Sequence, residues 1–267
     1  MIVVALRRLY HALVPLALRR RMRFARFGAN NRARAALWRQ SGGRIAAGPF
    51  KGLLLAGDTP GDCYGALLLG SYECETHDWL EHQFSRGWSA VVNIGSDIGY
   101  YSTGTALRLP RANVYAFEMI EAKRAETARS AVRNGVASRV HALGFADPAA
   151  LAALPVRDVL VISDCEGYEA VALDPTAVPW LANAAMLIEL HDFAVLGATE
   201  TLRTRFSSTH DVVIVKQQPR DPATWARRAG ISLACATELV QELRLWGGQH
   251  IDGQWMFLTP KTQPAGS

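Results

Sequence analysis

From residue 90 onward the chain alternates short apolar runs with segments of helical period. Ala90–Ile94, Val114–Phe117, Val140–Leu143, Val159–Ser163 and Ala185–Leu190 are apolar stretches with at most one polar position each. Runs this short, rich in Val, Leu and Ile, read as buried strands. Tyr100–Leu107 and Ala122–Asn134 read as helices between them, with Asn134-Gly135 as a helix stop. Val212–Val215 and Trp255–Leu258 are later strands. Buried strands separated by helices predict a mostly parallel sheet covered on both faces. Upstream, a helix is expected from about Tyr72 to Phe84, with Ser71 as its cap and Glu73 and Glu75 near its positive end. Ile2, Leu6, Leu9, Leu13 and Leu16 recur at helical spacing, interrupted by Arg7 and Arg8 and kinked at Pro15.

Charge divides the chain. Residues 1–50 hold eleven arginines and neither lysine nor acid, which leaves 18 basic against 24 acidic residues in the remainder. The alkaline balance belongs to the N-terminal segment, so the body of the protein does not read as a nucleic-acid binder. Three readings of that segment stand: a basic amphipathic helix on an anionic membrane surface, a nucleic-acid contact, or a helix packed on the domain or a partner. It lacks the clean apolar centre and cleavage site of a secretory signal. No apolar run approaches the ~20 residues of a spanning helix. Four scattered cysteines without a CxxC pair argue against a disulfide framework or a cysteine zinc site. The organisation expected is an arginine-rich helical segment at 1–48, a lead-in at 49–88, a sheet domain at 89–260 and a tail at 261–267.

In such sheets ligands bind beyond the carboxyl ends of the strands, where strand order reverses. The first strand runs into Asn93-Ile94-Gly95-Ser96-Asp97-Ile98-Gly99, whose glycines let the backbone turn and approach a ligand closely. The second strand ends in Glu118, placed to accept hydrogen bonds from both ribose hydroxyls of a nucleoside. Turn and acid together suggest adenosine recognition. The turn lacks GxGxxG, which argues against NAD, and no GxxxxGK[ST] exists for a nucleotide-triphosphate loop.

The stretches VVNIGSDIGYYS (91–102), VYAFEMI (114–120), NGVASRV (134–140), SDCEGYE (163–169) and IELHD (188–192), with LLGSYECE (68–75) before them, resemble the FkbM-type family of class I S-adenosylmethionine-dependent methyltransferases. The resemblance spans roughly residues 50–195. It implies an α/β fold: a Rossmann-like, seven-stranded, mostly parallel sheet with helices on both faces and an antiparallel last strand, here with an N-terminal helical extension. It implies S-adenosyl-L-methionine as cofactor, Gly95 and Gly99 shaping the methionine pocket, and Glu118 holding the ribose. Asp147 is either an adenine contact or, beside Pro148, a helix cap. Asn93 stands where many such enzymes have an acid; it can still accept from the cofactor's ammonium, and Asp97 is the candidate for the missing charge.

For methyl transfer to a hydroxyl, His191 or Asp164 is the expected base, with Glu166 and Glu189 orienting the substrate. Asp164, Glu166 and Glu169 follow the fourth strand and Glu189, His191 and Asp192 end the fifth, so both sets are expected at the same edge of the sheet; the alternatives are a solvent-facing helix position for Glu169 and a loop hydrogen-bond pair for His191-Asp192. Asp164, Glu189 and Asp192 are the oxygen donors nearest to a cation set, although no metal is expected. Tyr100 and Tyr101 either close over the cofactor or pack on the sheet; Trp79, Trp88, Trp180 and Trp255 fill the core. The expectation is a cytoplasmic O-methyltransferase acting on a sugar, glycan or other small-molecule hydroxyl, with a peripheral membrane contact through residues 1–26. The alternatives are an RNA or protein methyltransferase, or a non-catalytic module that binds an adenosyl ligand. The absence of a [DN]-P-P-[FYW] segment weighs against a nucleic-acid acceptor.

Overall fold

The computed structural model describes residues 28–55, 57, 64–240, 245–246, 249–250 and 252–261. The apolar spacing of residues 2–16, the membrane contact through residues 1–26 and the tail beyond residue 261 lie outside the described residues. Among those described, no helix is long and apolar enough to cross a membrane.

The chain divides into two compact units. The first takes the described parts of Met1–Ala47, Gly57–Tyr72 and Pro219–Asp252. It contains the helices Gly28–Ser41, Gly65–Leu69, Pro222–Ala229 and Leu233–Leu239. Asp221 starts the third of these, its carboxylate accepting from the amides of Ala223 at 3.1 Å and Thr224 at 3.0 Å. Ser232 starts the fourth by accepting from the Cys235 amide. The described residues of Pro219–Asp252 thus belong to the first unit and not to the unit that holds the seven-stranded sheet, and the stretch 49–88 is shared between the two units.

The second unit takes Gly48–Ala56, Glu73–Gln218 and the described part of Gly253–Ser267. Its strands are β1 (Ala90–Ile94), β2 (Asn113–Phe117), β3 (Val140–Leu143), β4 (Val159–Ser163), β5 (Ala185–Glu189) and β6 (His210–Lys216). Two short strands of the first unit, β7 (Leu245–Trp246) and β8 (Gln249–His250), precede its last strand, β9 (Gln254–Pro260). The seven-stranded sheet has the order β3-β2-β1-β4-β5-β9-β6. β1 to β5 pair in parallel, and β9 enters antiparallel between β5 and β6. This is the Rossmann-like sheet with a reversed last strand that the sequence resemblance implies.

Every residue of β1, β4 and β5 is buried, which explains why their sequences are near-continuous apolar runs rather than alternating ones. Val92, Ile94, Val161, Met186, Ile188, Leu202, Phe206 and Met256 belong to one apolar core. Each such side chain contributes about 1.5–3 kcal/mol relative to its exposed form. Trp255 is fully buried, and Trp79 stacks on Phe257 at 5.2 Å. Asn134 ends the helix Glu121–Arg133, followed by Gly135 at φ 70°.

The helix expected from Tyr72 begins later. Its α-helical part is His77–Arg86, preceded by a short 3-10 turn at Cys74–Thr76; Thr76 rather than Ser71 precedes the helix, without a side-chain capping bond, its hydroxyl donating to the Glu73 carbonyl. Glu73 explains the delay. Its φ of 48° is left-handed, a conformation no helix propagates through, and its side chain is buried rather than placed at the helix end.

Candidate active site

The register places the chemistry. Ile94 lies level with Phe117 and Ser163, and Ser163 with Ile188. One residue further on, Gly95, Glu118, Asp164 and Glu189 therefore share one edge of the sheet, astride the β1/β4 boundary where strand order reverses. A shallow hollow lined by Ser89, Asn113, Tyr115 and Arg157 lies at the opposite, amino-terminal edge and holds none of these groups.

The β1–β2 half of the edge is a network of satisfied polar groups. Gly95 takes φ 78°, and a Cβ there would stand 1.7 Å from the carbonyl oxygen of Asp164. A side chain at this position is excluded both by conformation and by space. Gly99 takes φ 88° and leads into the helix Tyr100–Arg108, with its missing Cβ against Thr127. The Glu118 carboxylate is buried; it accepts from the Asp97 amide at 3.1 Å and the Ile120 amide at 2.8 Å. It thus ties the glycine turn to the end of β2. Asp97, at φ 46°, pairs its carboxylate with Lys123 at 2.6 Å on the surface.

Asn93 is buried and engaged at both ends. Its amide nitrogen donates to the carbonyl of Ile162 at 3.2 Å, and its oxygen accepts from the Ser102 hydroxyl at 2.6 Å. The structure places it as a brace between β1, β4 and the following helix. Asp147 accepts from the Ala150 amide at 2.8 Å and caps the helix Pro148–Ala152, one of the two readings open from sequence. Tyr100 and Tyr101 are buried edge-on to Phe50, and the Tyr101 hydroxyl donates to Glu73.

The β4–β5 half gathers three carboxylates around one imidazole and two more beside Asp164. His191 is 3% exposed. Its Nδ1 lies 2.8 Å from Glu169 Oε1, and its Nε2 lies 3.5 Å from Asp164 Oδ1 and 3.9 Å from Glu166 Oε2. Glu169 is itself buried, and the same Oε1 accepts from the amides of Cys165 at 3.0 Å and Gly167 at 3.3 Å. It does not face solvent, as a surface helix position would. Its location at the start of the short helix Glu169–Ala172, after a turn in which Glu166 takes φ 58° and Gly167 φ 106°, folds the carboxylate back beneath the imidazole. Glu73 and Glu189 complete the cluster; one carboxylate oxygen of each lies within 4.8 Å of one of Asp164.

Three of the four non-glycine residues with positive φ among those described, Glu73, Asp97 and Glu166, border this edge. Left-handed backbone of this kind persists where the surroundings over-determine it, and it concentrates at functional sites.

The electrostatics follow from the crowding. Burial pushes the Asp164 carboxyl up, the Glu73 charge adds to it, and His191 only partly offsets them, leaving it at about 7. Burial favours neutral His191, but the Glu169 contact and the charges of Glu169, Asp164 and Glu166 outweigh it and raise the imidazole above its ordinary value. Burial alone would raise Glu169; the His191 ring and the backbone amides outweigh it and hold the carboxyl low. The neighbouring Cys165 thiol is pushed up by burial and by the Glu169 charge, which removes it as a nucleophile.

Cation-ligating atoms of Asp164, Glu166 and His191 come within 4.8 Å of one another, as do those of Glu73, Asp164 and Glu189. Asp192 joins neither group. Its carboxylate accepts from the amide and hydroxyl of Thr199, so the donor set Asp164, Glu189 and Asp192 does not assemble. Nor do His191 and Asp192 form a loop pair. Sequence reasoning placed Glu169 at this edge but missed its contact with His191, and it missed Glu73 as a member. The first is the third acid of SDCEGYE, and the second lies in LLGSYECE, where helical spacing drew it to a helix end.

No family model and no curated protein matches the chain. Solved structures do. The O-methyltransferase TomG of Streptomyces achromogenes, in complex with S-adenosylmethionine, is 16% identical over 86% of this chain and 89% of its own, at a TM-score of 0.44. An O-methyltransferase from Bacillus cereus, in complex with S-adenosylhomocysteine, is 10% identical over 70% of this chain and 81% of its own, at 0.45. The precorrin-6y C5,15-methyltransferase of Geobacter metallireducens is 13% identical over 70% and 89%, at 0.47. At such identities and scores neither activity nor substrate carries over to this chain.

Proposed function

We propose that the protein is an S-adenosyl-L-methionine-dependent methyltransferase of the FkbM type that methylates a hydroxyl, with His191 as the base and Glu169 as its support. The observation that carries this reading is the Glu169–His191 pair at the sheet edge. Nδ1 lies 2.8 Å from a buried carboxylate anchored by two backbone amides, an ion-pair distance rather than an aligned hydrogen bond, while Nε2 lies toward Asp164 and Glu166, the side this reading gives to the acceptor.

The β1–β2 half suits the cofactor. The cradle at Gly95 admits no Cβ, Glu118 stands at the end of β2 to meet the ribose, and Met119, Ile120 and Phe145 expose apolar surface beside it for the adenine face. With Asn93 engaged and Asp97 paired to Lys123, the negative charge expected near the cofactor's ammonium comes from the carboxylates at the ends of β4 and β5. Bound there, S-adenosylmethionine supplies a methyl group on a sulfonium, already activated for displacement. The residues of this chain then align the acceptor oxygen in line with that methyl and take its proton. Alignment is worth on the order of 7–11 kcal/mol at best, and a positioned base ~10²–10⁴-fold. Nε2 of His191 receives the proton, Glu169 stabilises the resulting imidazolium, and Asp164, Glu166 and Glu189 hold the acceptor's remaining polar groups.

Thermal shift with S-adenosylhomocysteine, the product, tests the reading, with NAD as control. Ligand at ~100 times its dissociation constant stabilises by about 2.7 kcal/mol, a rise of roughly 5–10 °C at this size. A rise with the homocysteine product alone supports the proposal; no rise at millimolar concentration overturns it. Binding without transfer to any hydroxyl, unaffected by His191→Gln, would leave the adenosyl-binding module instead.

A further inference from the structure

Resting on that reading, we infer that the acceptor is a neutral amphipathic alcohol whose apolar part lies on the loop after β5 while its hydroxyl meets His191. The residues that follow His191-Asp192 are Phe193-Ala194-Val195-Leu196, four apolar side chains in succession, in a loop. Single exposed apolar residues are ordinary, but several grouped in one loop beside a functional group offer a contiguous apolar surface to a ligand. Leu196 is 95% exposed and Val195 43%.

The loop is pinned rather than loose. The amides of Ala194 and Val195 donate to the carbonyl of His191 at 2.8 and 2.9 Å, and Asp192 ties the loop to Thr199. Gly197, at φ 81°, turns the chain into the helix Ala198–Phe206 immediately after Leu196 and leaves that side chain at the tip. The apolar surface is continuous with the base. Phe193 stands edge-on to the His191 ring at 5.4 Å. Across the loop, Val195 lies where a Cβ on Gly167 would meet it at 2.9 Å, and beyond Gly167 the Tyr168 ring lies 5.0 Å from Phe145. A strip of aromatic and aliphatic surface thus runs outward from the imidazole.

The carboxylates Glu166, Glu169 and Glu189, with Asp164 ionised only in part near pH 7, set the charge of the occupant. Their field repels an anionic acceptor, while neutral hydroxyls hydrogen-bond to them. A carboxylate- or phosphate-bearing acceptor is disfavoured at the same place where an uncharged alcohol is welcomed.

The test uses 1-butanol, 1-hexanol and 1-octanol as probes, with hexanoate as the anionic counterpart, titrated by ligand-observed NMR at saturating S-adenosylhomocysteine. The intact chain is compared with Leu196→Asp and with Val213→Asp, a surface change on β6. Complete burial of a methylene is worth about fourfold in affinity, and half-burial on an open strip about twofold. The proposal expects about twofold tighter binding per added methylene, hexanoate weaker than hexanol by more than ~10-fold, and a shift of the His191 imidazole resonance with each alcohol. Leu196→Asp abolishes the chain-length dependence and Val213→Asp preserves it. No chain-length dependence, its survival in Leu196→Asp, or its equal loss in Val213→Asp overturns the proposal. Thermal shift with S-adenosylhomocysteine alone reports separately on the methyltransferase reading, so failure of one is not mistaken for failure of the other.

Discussion

Both halves of the sheet's carboxyl edge carry buried acids, but they employ them differently. At the ends of β1 and β2, polar side chains are spent on the protein itself: Glu118 on two backbone amides, Asn93 on β4 and a helix hydroxyl. At the ends of β4 and β5, the acids surround an imidazole and one another. The first arrangement fixes a shape, as a pocket that must receive the same cofactor every time requires. The second concentrates charge in a low-dielectric setting and so shifts proton affinities, as a site that must accept a proton requires. Gly95 joins the two halves, since its missing Cβ is what lets the turn after β1 rest on the Asp164 carbonyl.

Replacing His191 gives the largest effect. His191→Gln is expected to lower turnover by ~10²–10⁴-fold while S-adenosylhomocysteine affinity stays within about twofold; a parallel loss of affinity would place the residue in the cofactor half. The wild-type rate should rise with pH through the raised imidazole pKa, because the base must be neutral. Stability should move the opposite way. The folded state holds the His191 proton more tightly, so the contribution is full below the ordinary value and lost as pH rises through the raised one.

Gly95→Ala breaks the junction. With φ 78° and a carbonyl oxygen 1.7 Å from the new methyl, it should cost roughly 2–4 kcal/mol of stability by urea unfolding, and both cofactor affinity and rate should fall. Glu118→Gln sharpens the contrast from the other side. It should weaken S-adenosylhomocysteine binding roughly tenfold by calorimetry, with the rate at saturating cofactor within about twofold. The smallest effect is assigned to Asp147→Ala, which should cost about 1 kcal/mol of stability and leave cofactor affinity within about twofold. An affinity loss larger than the stability loss would show that the carboxylate also meets the adenine.

Much of the fold was legible because the sheet is buried on both faces. Ala90–Ile94, Val140–Leu143 and Val159–Ser163 coincide with β1, β3 and β4, since an apolar run has sharp ends wherever the chain leaves the core. The edge strand β6 was read too short, as Val212–Val215 against His210–Lys216, because its end residues His210, Asp211 and Lys216 are polar and carry no hydrophobic signal. The helices after Pro222 were missed because they are short and start on local caps rather than on a long periodic stripe. In the site, sequence order supplied Gly95, Glu118, Asp164 and His191 from their positions after strands. It placed Glu169 after the same strand but did not supply its contact with His191. A residue five beyond Asp164 reaches His191 only because the chain reverses through the left-handed Glu166 and Gly167, and single-residue backbone conformations of that kind leave little trace in composition. Glu73 lies far from the sheet in sequence and enters the cluster by tertiary packing alone.

The most direct measurement is the NMR titration of the His191 imidazole, assigned with His191→Gln, in the intact protein and in Glu169→Gln. The account predicts a midpoint above the ordinary 6.5 in the intact protein and a fall once the supporting charge is removed. A midpoint at or below 6.5 that Glu169→Gln leaves unmoved would contradict it, because the buried carboxylate would then not govern the base.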